Sequence, residues 1–433
     1  MSKHISVWND EINIKQFPSL DTDAKTDVLI IGGGIAGILT AYELSQRGVE
    51  CTLIEKNRIL QGVTCNTTAK ITSQHGLIYN KIVSSKGAEA AKLYYKANQE
   101  AIEKYRALAQ EIDCDFEIKD NYVYTTDFEA KIHKEAEALN KSGIPFDFTD
   151  KTELPIKVLG AIKFSNQAQF NPLKLLAPLS ESLNIYENTF ALNVKNNSII
   201  TEKATIKAKK IVVATHFPFI NRHGNYSMKL YQDRSYVIAL KNAQKLNGMY
   251  INEDEKGLSF RGYNDYLLLG GGSHRTGKSG GGWSELRETA KRIYPESSEE
   301  FYWATQDCMS LDGIMYSGNY SAMTPDLYVS SGFNKWGMTS SMVSAGIIAD
   351  LITDGRSEYQ ELFSPSRNMI TPQLAVNSVE SIVNLLTPTT KRCSHLGCAL
   401  KWNKAEHSWD CPCHGSRFDE SGEILNNPAQ KDI

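Results

Sequence analysis

The most apolar run of the chain, Val28 to Leu44, contains four glycines and gives way to polar residues at Ser45 to Arg47. A membrane span needs about 20 consecutive apolar residues, so this run predicts a buried strand and the helix that follows it. Asp27 to Ile31 reads as the strand, Gly32, Gly34 and Gly37 lead into a helix ending near Arg47, and Glu50 to Ile54 is the next strand, closed by Glu55. Leu93, Ala97, Ala101, Tyr105, Leu108 and Ile112 keep helical spacing, which predicts one helix over residues 81–113. Alternation over Phe116 to Tyr124 predicts a sheet strand. Residues 162–269 are strand-rich, with Lys210 to Thr215 the most apolar strand among them. Tyr328 to Phe333 and Trp336 to Ile352 read as strand, glycine-containing loop and a final helix. Residues 358–390 have the proline and serine content of a linker around one short helix. No internal repeat or low-complexity tract interrupts this order.

At 433 residues the chain has room for two or three domains. A net charge of −3 gives no electrostatic footprint for nucleic acid. No basic segment followed by an apolar one opens the sequence, so we expect a cytoplasmic chain without a transmembrane segment, touching a membrane at most peripherally. The eight cysteines sharpen the picture. Cys51, Cys65, Cys114 and Cys308 stand alone, while Cys393, Cys398, Cys411 and Cys413 crowd into 21 residues beside histidines. A secreted disulfide framework spreads its pairs over the chain; local crowding with histidine points to metal.

Two stretches carry the chemistry. The first is G-x-G-x-x-G between a strand and a helix, with an acid 23 residues after Gly32 at Glu55. Such a loop brings backbone close to a pyrophosphate at a helix N-terminus, and the acid accepts hydrogen bonds from a ribose. The candidate dinucleotide residues are Gly32, Gly34, Ile35, Ala36, Gly37, Glu55 and Lys56. The alternative is a tight turn with no ligand, and the motif alone does not separate FAD from NAD. The second is C-x-H-x₁₅-C-x-x-H, built from Cys393, His395, Cys411 and His414, one cysteine and one histidine on each of two loops. Such a donor set suits zinc or a two-iron cluster with two thiolates on one iron and two imidazoles on the other.

Three segments, "GVTCNTTAKITSQHGLIY", "KIVVATHFPF" and "SGFNKWGMTSS", resemble the FAD-dependent oxidoreductases of the glycine oxidase and D-amino-acid oxidase superfamily. The resemblance covers about residues 26–355 and implies FAD contacts from Gly62, Thr64, Thr68 and Ala69, from Ala214 and Thr215, and from Trp336, Gly337, Met338 and Thr339. Amino-acid oxidases of this group hold the substrate carboxylate with an arginine ahead of a segment matched here by "DGIMYSG"; this chain has Asp307 at that place, which repels a carboxylate. Arg234 and Arg261 are alternative sources of positive charge, His75, His216 and His274 are candidate acid–base groups, and Cys308 lies near where some relatives bond their flavin covalently. Surface arginine, hydrogen-bonded scaffold histidine and buried free cysteine are the plainer readings of these residues.

"CSHLGC" and "CPCHGS" resemble the Rieske 2Fe-2S box of quinol-oxidising cytochrome complexes. The resemblance implies the four ligands named above and a disulfide between Cys398 and Cys413. Ser416 stands where the high-potential members carry a serine, but Phe418 replaces their tyrosine, so one hydrogen bond to the cluster is missing and an intermediate potential is expected. Only Ala399 to Asp410 and the tail from Gly422 remain to make strands, so the segment reads as shortened, a lone hairpin needing support from the rest of the chain.

The expected fold is α/β: a Rossmann-like FAD-binding domain over residues 1–80, 150–220 and 305–357, an α+β substrate domain over 81–149 and 221–304, a linker over 358–390, and a small all-β Rieske segment over 391–433. The chain as a whole resembles bacterial fusions of these two units. That combination implies a dehydrogenase oxidising a small organic substrate, at a C–N bond by superfamily expectation, and passing electrons singly to an external acceptor. The alternatives are a reductase component feeding a separate oxygenase, or a non-enzymatic redox sensor. A self-contained oxygenase needs a mononuclear iron triad that the sequence does not offer.

Overall fold

The computed structural model describes residues 2–433 except Glu11, Asn196, Glu255 and Lys256. Three sheets organise it. In the first, Ala24–Ile31 lies at the centre, paired in parallel with Cys51–Ile54 on one side and Thr205–Val213 on the other, and Leu327–Ser331 continues in parallel beyond. These central strands are apolar because helices Ile35–Gln46 and Gly337–Thr353 cover the sheet, packed against one another. Gly32 has φ +113°, and a Cβ there would lie 2.5 Å from the carbonyl oxygen of Ala214; one on Gly37 would lie 1.9 Å from the carbonyl oxygen of Gly32. The glycine loop is thus enforced by two close backbone approaches.

The second sheet is mixed, running in the order Ser298–Ser310, Leu230–Lys241, Tyr266–Arg275, Ser259–Tyr263, Met249–Asn252, Glu117–Thr125, Gly160–Gln169 and Lys70–Ile71. Lys70–Ile71, Gly160–Gln169 and residues 305–310, which the sequence boundaries assigned to the FAD-binding domain, therefore share this sheet with segments assigned to the substrate domain. Hydrophobic pattern marks strands but does not say which sheet they join. The helix expected over 81–113 is two helices, Ile78–Lys86 and Ala88–Glu111, broken at Gly87 with φ +87°. The polar N-terminal lead-in is pinned down by Trp8, fully buried, whose Nε1 donates to the Thr67 carbonyl at 2.7 Å. Among the described residues no helix is long and apolar enough to cross a membrane.

The third sheet corrects the expectation of a lone hairpin. Lys401–Asn403, Ser408–Asp410, Arg417–Phe418 and Ile424–Asn426 form four antiparallel strands. Its own core is small, so support comes from outside. Arg234, on the second sheet, forms a two-point ion pair with Glu406; Glu406 also pairs with Arg417 at 2.9 Å, and Arg417 with Asp410 at 2.9 Å. All four side chains are buried, so removing one member strands the others without solvent. The helix inside the expected linker is longer than its composition suggested: Pro372–Leu386, capped by Thr371 Oγ1, which accepts the Leu374 N–H at 3.3 Å.

Burial works to raise the Glu406 carboxyl, but Arg234 and Arg417 outweigh it and hold the group down to about 2. A depressed carboxylate stabilises the fold fully above its unfolded value of about 4.3 and loses that contribution as pH falls toward the folded value. Glu406→Gln is expected to cost about 3 kcal/mol at neutral pH and to flatten the loss of stability between about pH 4.5 and 2. Denaturant titration followed by tryptophan fluorescence checks both; an unchanged midpoint would show that the ion network is dispensable.

Candidate functional site

One cavity of about 1170 Å³ runs from the glycine loop of the first sheet to the face of the second. Gly32, Gly34, Ile35, Ala36, Glu55, Lys56, Gly62, Thr64, Thr68, Ala214, Thr215, Trp336, Gly337 and Met338 line it; Gly37, Ala69 and Thr339 lie behind the wall. Glu55 accepts the Gly33 N–H at 2.7 Å and the Asn57 N–H at 3.0 Å, which orients a carboxylate at the end of its strand where a ribose would lie. Thr64 Oγ1 accepts the Ile35 N–H at 3.0 Å and so ties the hydroxyl-rich segment to the first turn of the helix. The cavity volume and this donor set suit a dinucleotide.

The expected acid–base and charge candidates fare differently. The His75 ring lines the cavity and stacks on Trp336 with centroids 4.9 Å apart. Its Nε2 donates to the Thr72 carbonyl at 2.8 Å and its Nδ1 accepts from the Tyr94 hydroxyl at 2.5 Å; burial pushes the ring down to about 3. It is neutral scaffold with no free nitrogen. His274 is outside the cavity, held by the Arg275 carbonyl and the Tyr236 hydroxyl. Arg234 is the brace to Glu406 described above. Arg261, fully buried against Trp8 and Tyr263, donates to the Thr68 and Ala69 carbonyls and holds Ala69 at φ +52°. Sequence leaves these four open because each has a partner away from it in the chain: Tyr94 for His75, Tyr236 for His274, Glu406 for Arg234, and the Thr68 and Ala69 carbonyls for Arg261. His216 does line the cavity, its Nε2 buried and without a partner among the described residues. Cys308 lines it too, with burial pushing its thiol up to about 12, a poor nucleophile.

Other groups escaped the sequence reading. Lys70 lines the cavity, and burial with Arg261 nearby pushes its ammonium down to about 7. A lysine inside the hydroxyl-rich "TTAKIT" was the available signal. The second sheet contributes Asp233 beside Asp307, the carboxylate already singled out in the sequence, and Glu253 follows the strand Met249–Asn252. Asp233 and Asp307 are cross-strand partners, and burial raises Asp307 and Glu253 each to about 6. Among the described residues lining the cavity there is no arginine.

The second centre lies behind that same wall. Along Leu230–Lys241, Tyr231, Asp233 and Ser235 face the cavity while Gln232 and Arg234 face the C-terminal sheet. Gln232 Nε2 donates to the His414 carbonyl at 2.7 Å, Gln306 Nε2 to the Gly415 carbonyl at 2.8 Å, and Arg275 Nε to the Pro412 carbonyl at 3.0 Å. Asn427 donates to the Phe217 carbonyl at 2.8 Å, and Asn426, Asn427 and Ala429 line the cavity itself.

Within this docked unit the two loops bring Cys393, His395, Cys411 and His414 together. The two thiols face one another at hydrogen-bonding distance, and the imidazole centroids are 5.0 Å apart. Both Nδ1 atoms are buried with no hydrogen-bond partner, whereas His395 Nε2 meets Asn221 Oδ1 at 3.0 Å and His414 bonds the Ser227 backbone. Burial holds both rings neutral, down to about 4 and about 3. Neutral imidazoles with orphaned nitrogens beside two thiols form a donor set that fits a metal cluster. Cys398 and Cys413 are disulfide-bonded, and Cys411 Sγ lies within 4.8 Å of both sulfurs. Loop carbonyls are satisfied by Gly397 and Gly415 N–H groups at 2.9 Å each.

Residues 27–351 match the DAO family of FAD dependent oxidoreductases, and residues 368–433 match the Rieske 2Fe-2S domain. The chain belongs to the FAD-dependent oxidoreductases. Its cofactors are accordingly FAD and a 2Fe-2S cluster. Across its whole length this oxidoreductase is similar to a Bacillus subtilis protein named as a Rieske 2Fe-2S iron-sulfur protein, YhfW, at 36% identity over 492 aligned positions, 98% of this chain and 96% of the relative. That alignment is longer than the 433 residues here, so the relative carries positions with no counterpart in this chain. In fold it is similar to glycine oxidase from Geobacillus kaustophilus (TM-score 0.68, 19% identity, 80% of this chain and 100% of that one). L-proline dehydrogenase from P. horikoshii is a second such neighbour (TM-score 0.66, 19% identity, 80% and 98%).

Phe418 is fully buried beside Cys393 and Cys411, whereas Ser416 Oγ hydrogen-bonds Cys393. Phe418→Tyr is expected to raise the cluster midpoint by adding a donor to the sulfur shell. An EPR-monitored redox titration reads it; an unchanged potential would mean the hydroxyl does not reach sulfur.

Proposed function

We propose that this oxidoreductase is a dehydrogenase that oxidises a small amine lacking an α-carboxylate at its C–N bond and delivers the electrons singly to an external acceptor. Bound FAD supplies a two-electron acceptor and the 2Fe-2S cluster a one-electron relay. The observation that carries this reading is the shared wall: neighbouring residues of one strand, such as Gln232 and Asp233, face the cluster unit and the cavity respectively. At these strands a single sheet lies between the two.

The chain's own residues take these parts. The glycine loop and Glu55 hold the dinucleotide, with Thr64, Thr68, Thr215 and Trp336 along its length. Cys393 and Cys411 would hold one iron of the cluster, and His395 and His414 the other. Asp307, Asp233 and Glu253 outnumber the cations described near them on the cavity wall, Lys335, whose Nζ is 3.7 Å from Asp233, and Lys81 beside Glu253. That balance attracts an ammonium and repels a carboxylate. Among the described lining residues there is no arginine, which supports the same choice.

Anaerobic mixing with candidate amines should bleach the flavin and then give the reduced-cluster EPR signal. Bleaching by NAD(P)H and by no amine would instead favour the reductase reading. Asp307 is charged above about pH 6 and neutral below it, burial being the main cause. KM for the amine should therefore rise as pH falls through 6, and Asp307→Asn should raise KM roughly tenfold at neutral pH and weaken that pH dependence, leaving the part carried by Glu253. A KM profile unchanged in the variant would remove Asp307 from substrate binding.

A further inference from the structure

The helix Pro372–Leu386 is inside out. All eight of its exposed residues are apolar. Val376, Val379, Ile382, Val383 and Leu386 form the centre of that face, at 52%, 60%, 57%, 55% and 76% exposure. Its polar side chains turn toward the protein. Asn377, buried, accepts from Arg275 at 2.9 Å and donates to the Met228 carbonyl at 3.2 Å, and Glu380 pairs with Lys278 at 2.7 Å. A soluble surface helix is patterned the other way round, and a contiguous apolar face of this kind marks an interaction site.

The face adjoins the cluster. The Asn384 carbonyl accepts the Ala399 N–H at 2.8 Å, and Arg392 bridges the Leu385 and Gly397 carbonyls at 3.2 and 2.8 Å. These bonds fix the end of the helix to the first cluster loop, where Leu396 is 45% exposed. The apolar surface thus continues from the helix onto the loop that carries His395.

We propose that this face docks on an anionic lipid bilayer surface. Size argues against a second copy of the chain. Fifteen residues span about 22 Å, and a strip about 10 Å wide offers a few hundred Å² at most, well below the roughly 800 Å² per partner of a stable interface. A shallow helix lying in a lipid interface needs no more than this. Charge argues the same way. The one ionised residue of the helix, Glu380, is turned inward to Lys278, while Lys391 and the exposed Arg392 stand just beyond its C-terminal end. An acid-free apolar strip with basic residues at its edge complements a negative headgroup layer. The proposal holds whatever substrate enters the cavity.

The test uses the full-length, cofactor-loaded protein in flotation with phosphatidylcholine vesicles, with and without about one-third phosphatidylglycerol. The protein should float with the anionic vesicles and much less with the neutral ones. The double variant Val379→Glu, Val383→Glu should keep the flavin absorbance and the cluster EPR signal and lose at least about tenfold in partitioning. A chain that stays in the soluble fraction with both vesicle types, or a variant that floats as well as the parent, would overturn the assignment. So would a dimer in light scattering that the same variant dissociates in the absence of any flotation, since the face would then belong to a second copy.

Discussion

Both centres depend on a single wall of β-sheet. Where Gln232 to Ser235 of Leu230–Lys241 lie beside Arg275 of Tyr266–Arg275 and Gln306 and Asp307 of Ser298–Ser310, one side borders the cavity and the other receives the cluster unit. The period of two along a strand then dictates residue choice. Asp233, Ser235 and Asp307 are carboxylates and a hydroxyl because they face a site; Gln232 and Gln306 are amides because they must satisfy loop carbonyls that have no water. A slip of one residue would exchange the two sets. The irregularity between Arg234 and Tyr236 in this pairing sits where the strand turns from one task to the other.

The wall also explains how so small a cluster unit holds together. Its four strands have two or three residues each and bury only a small core. Three supports add to that core: from the wall, the glutamine and arginine contacts and the Arg234–Glu406–Arg417–Asp410 ladder, and within the unit, the disulfide between the two loops. Close approach is part of the design. A Cβ on Gly415 would come within 2.6 Å of Gln232 Cβ, and one on Gly277 within 2.6 Å of the Pro412 nitrogen. The docking is backbone against strand, which fixes distance more tightly than side-chain contact does.

What sequence made legible follows from locality. The glycine loop with Glu55 and the two Cys/His loops are short segments whose chemistry is complete within about 25 residues, and the structure assembles each as a unit. Arg234, Arg261 and His274 were ambiguous because their roles are set by Glu406, by the Thr68 and Ala69 carbonyls and by Tyr236, none of them close in sequence. The same limit hid the sheet membership of Gly160–Gln169 and the fourfold pairing of the C-terminal strands. The outward face of helix Pro372–Leu386, the helix expected inside the linker, is not legible for a different reason. Its flanking prolines and serines resemble a linker, and its apolar face points outward, so the usual equation of apolar with buried fails there.

On the proposed transfer to an external acceptor, that outward face bears on where electrons would leave. The two imidazoles are not equivalent: His414 is 4% exposed and sealed against the Gln232 and Arg275 side of the wall, whereas His395 is only half-buried and meets Asn221 on the surface loop. Phe217, wholly buried, stands edge-on to both rings at 6.4 and 6.1 Å and closes the direction back toward Ala214 and the cavity. An acceptor outside the chain can therefore approach the centre closely only on the His395 side. The residue after His395 is Leu396, the point where the apolar surface of the helix reaches the loop. The side of the centre open to an external acceptor and the side built to meet an apolar surface are thus the same, and the wall behind His414 is left to face the flavin cavity.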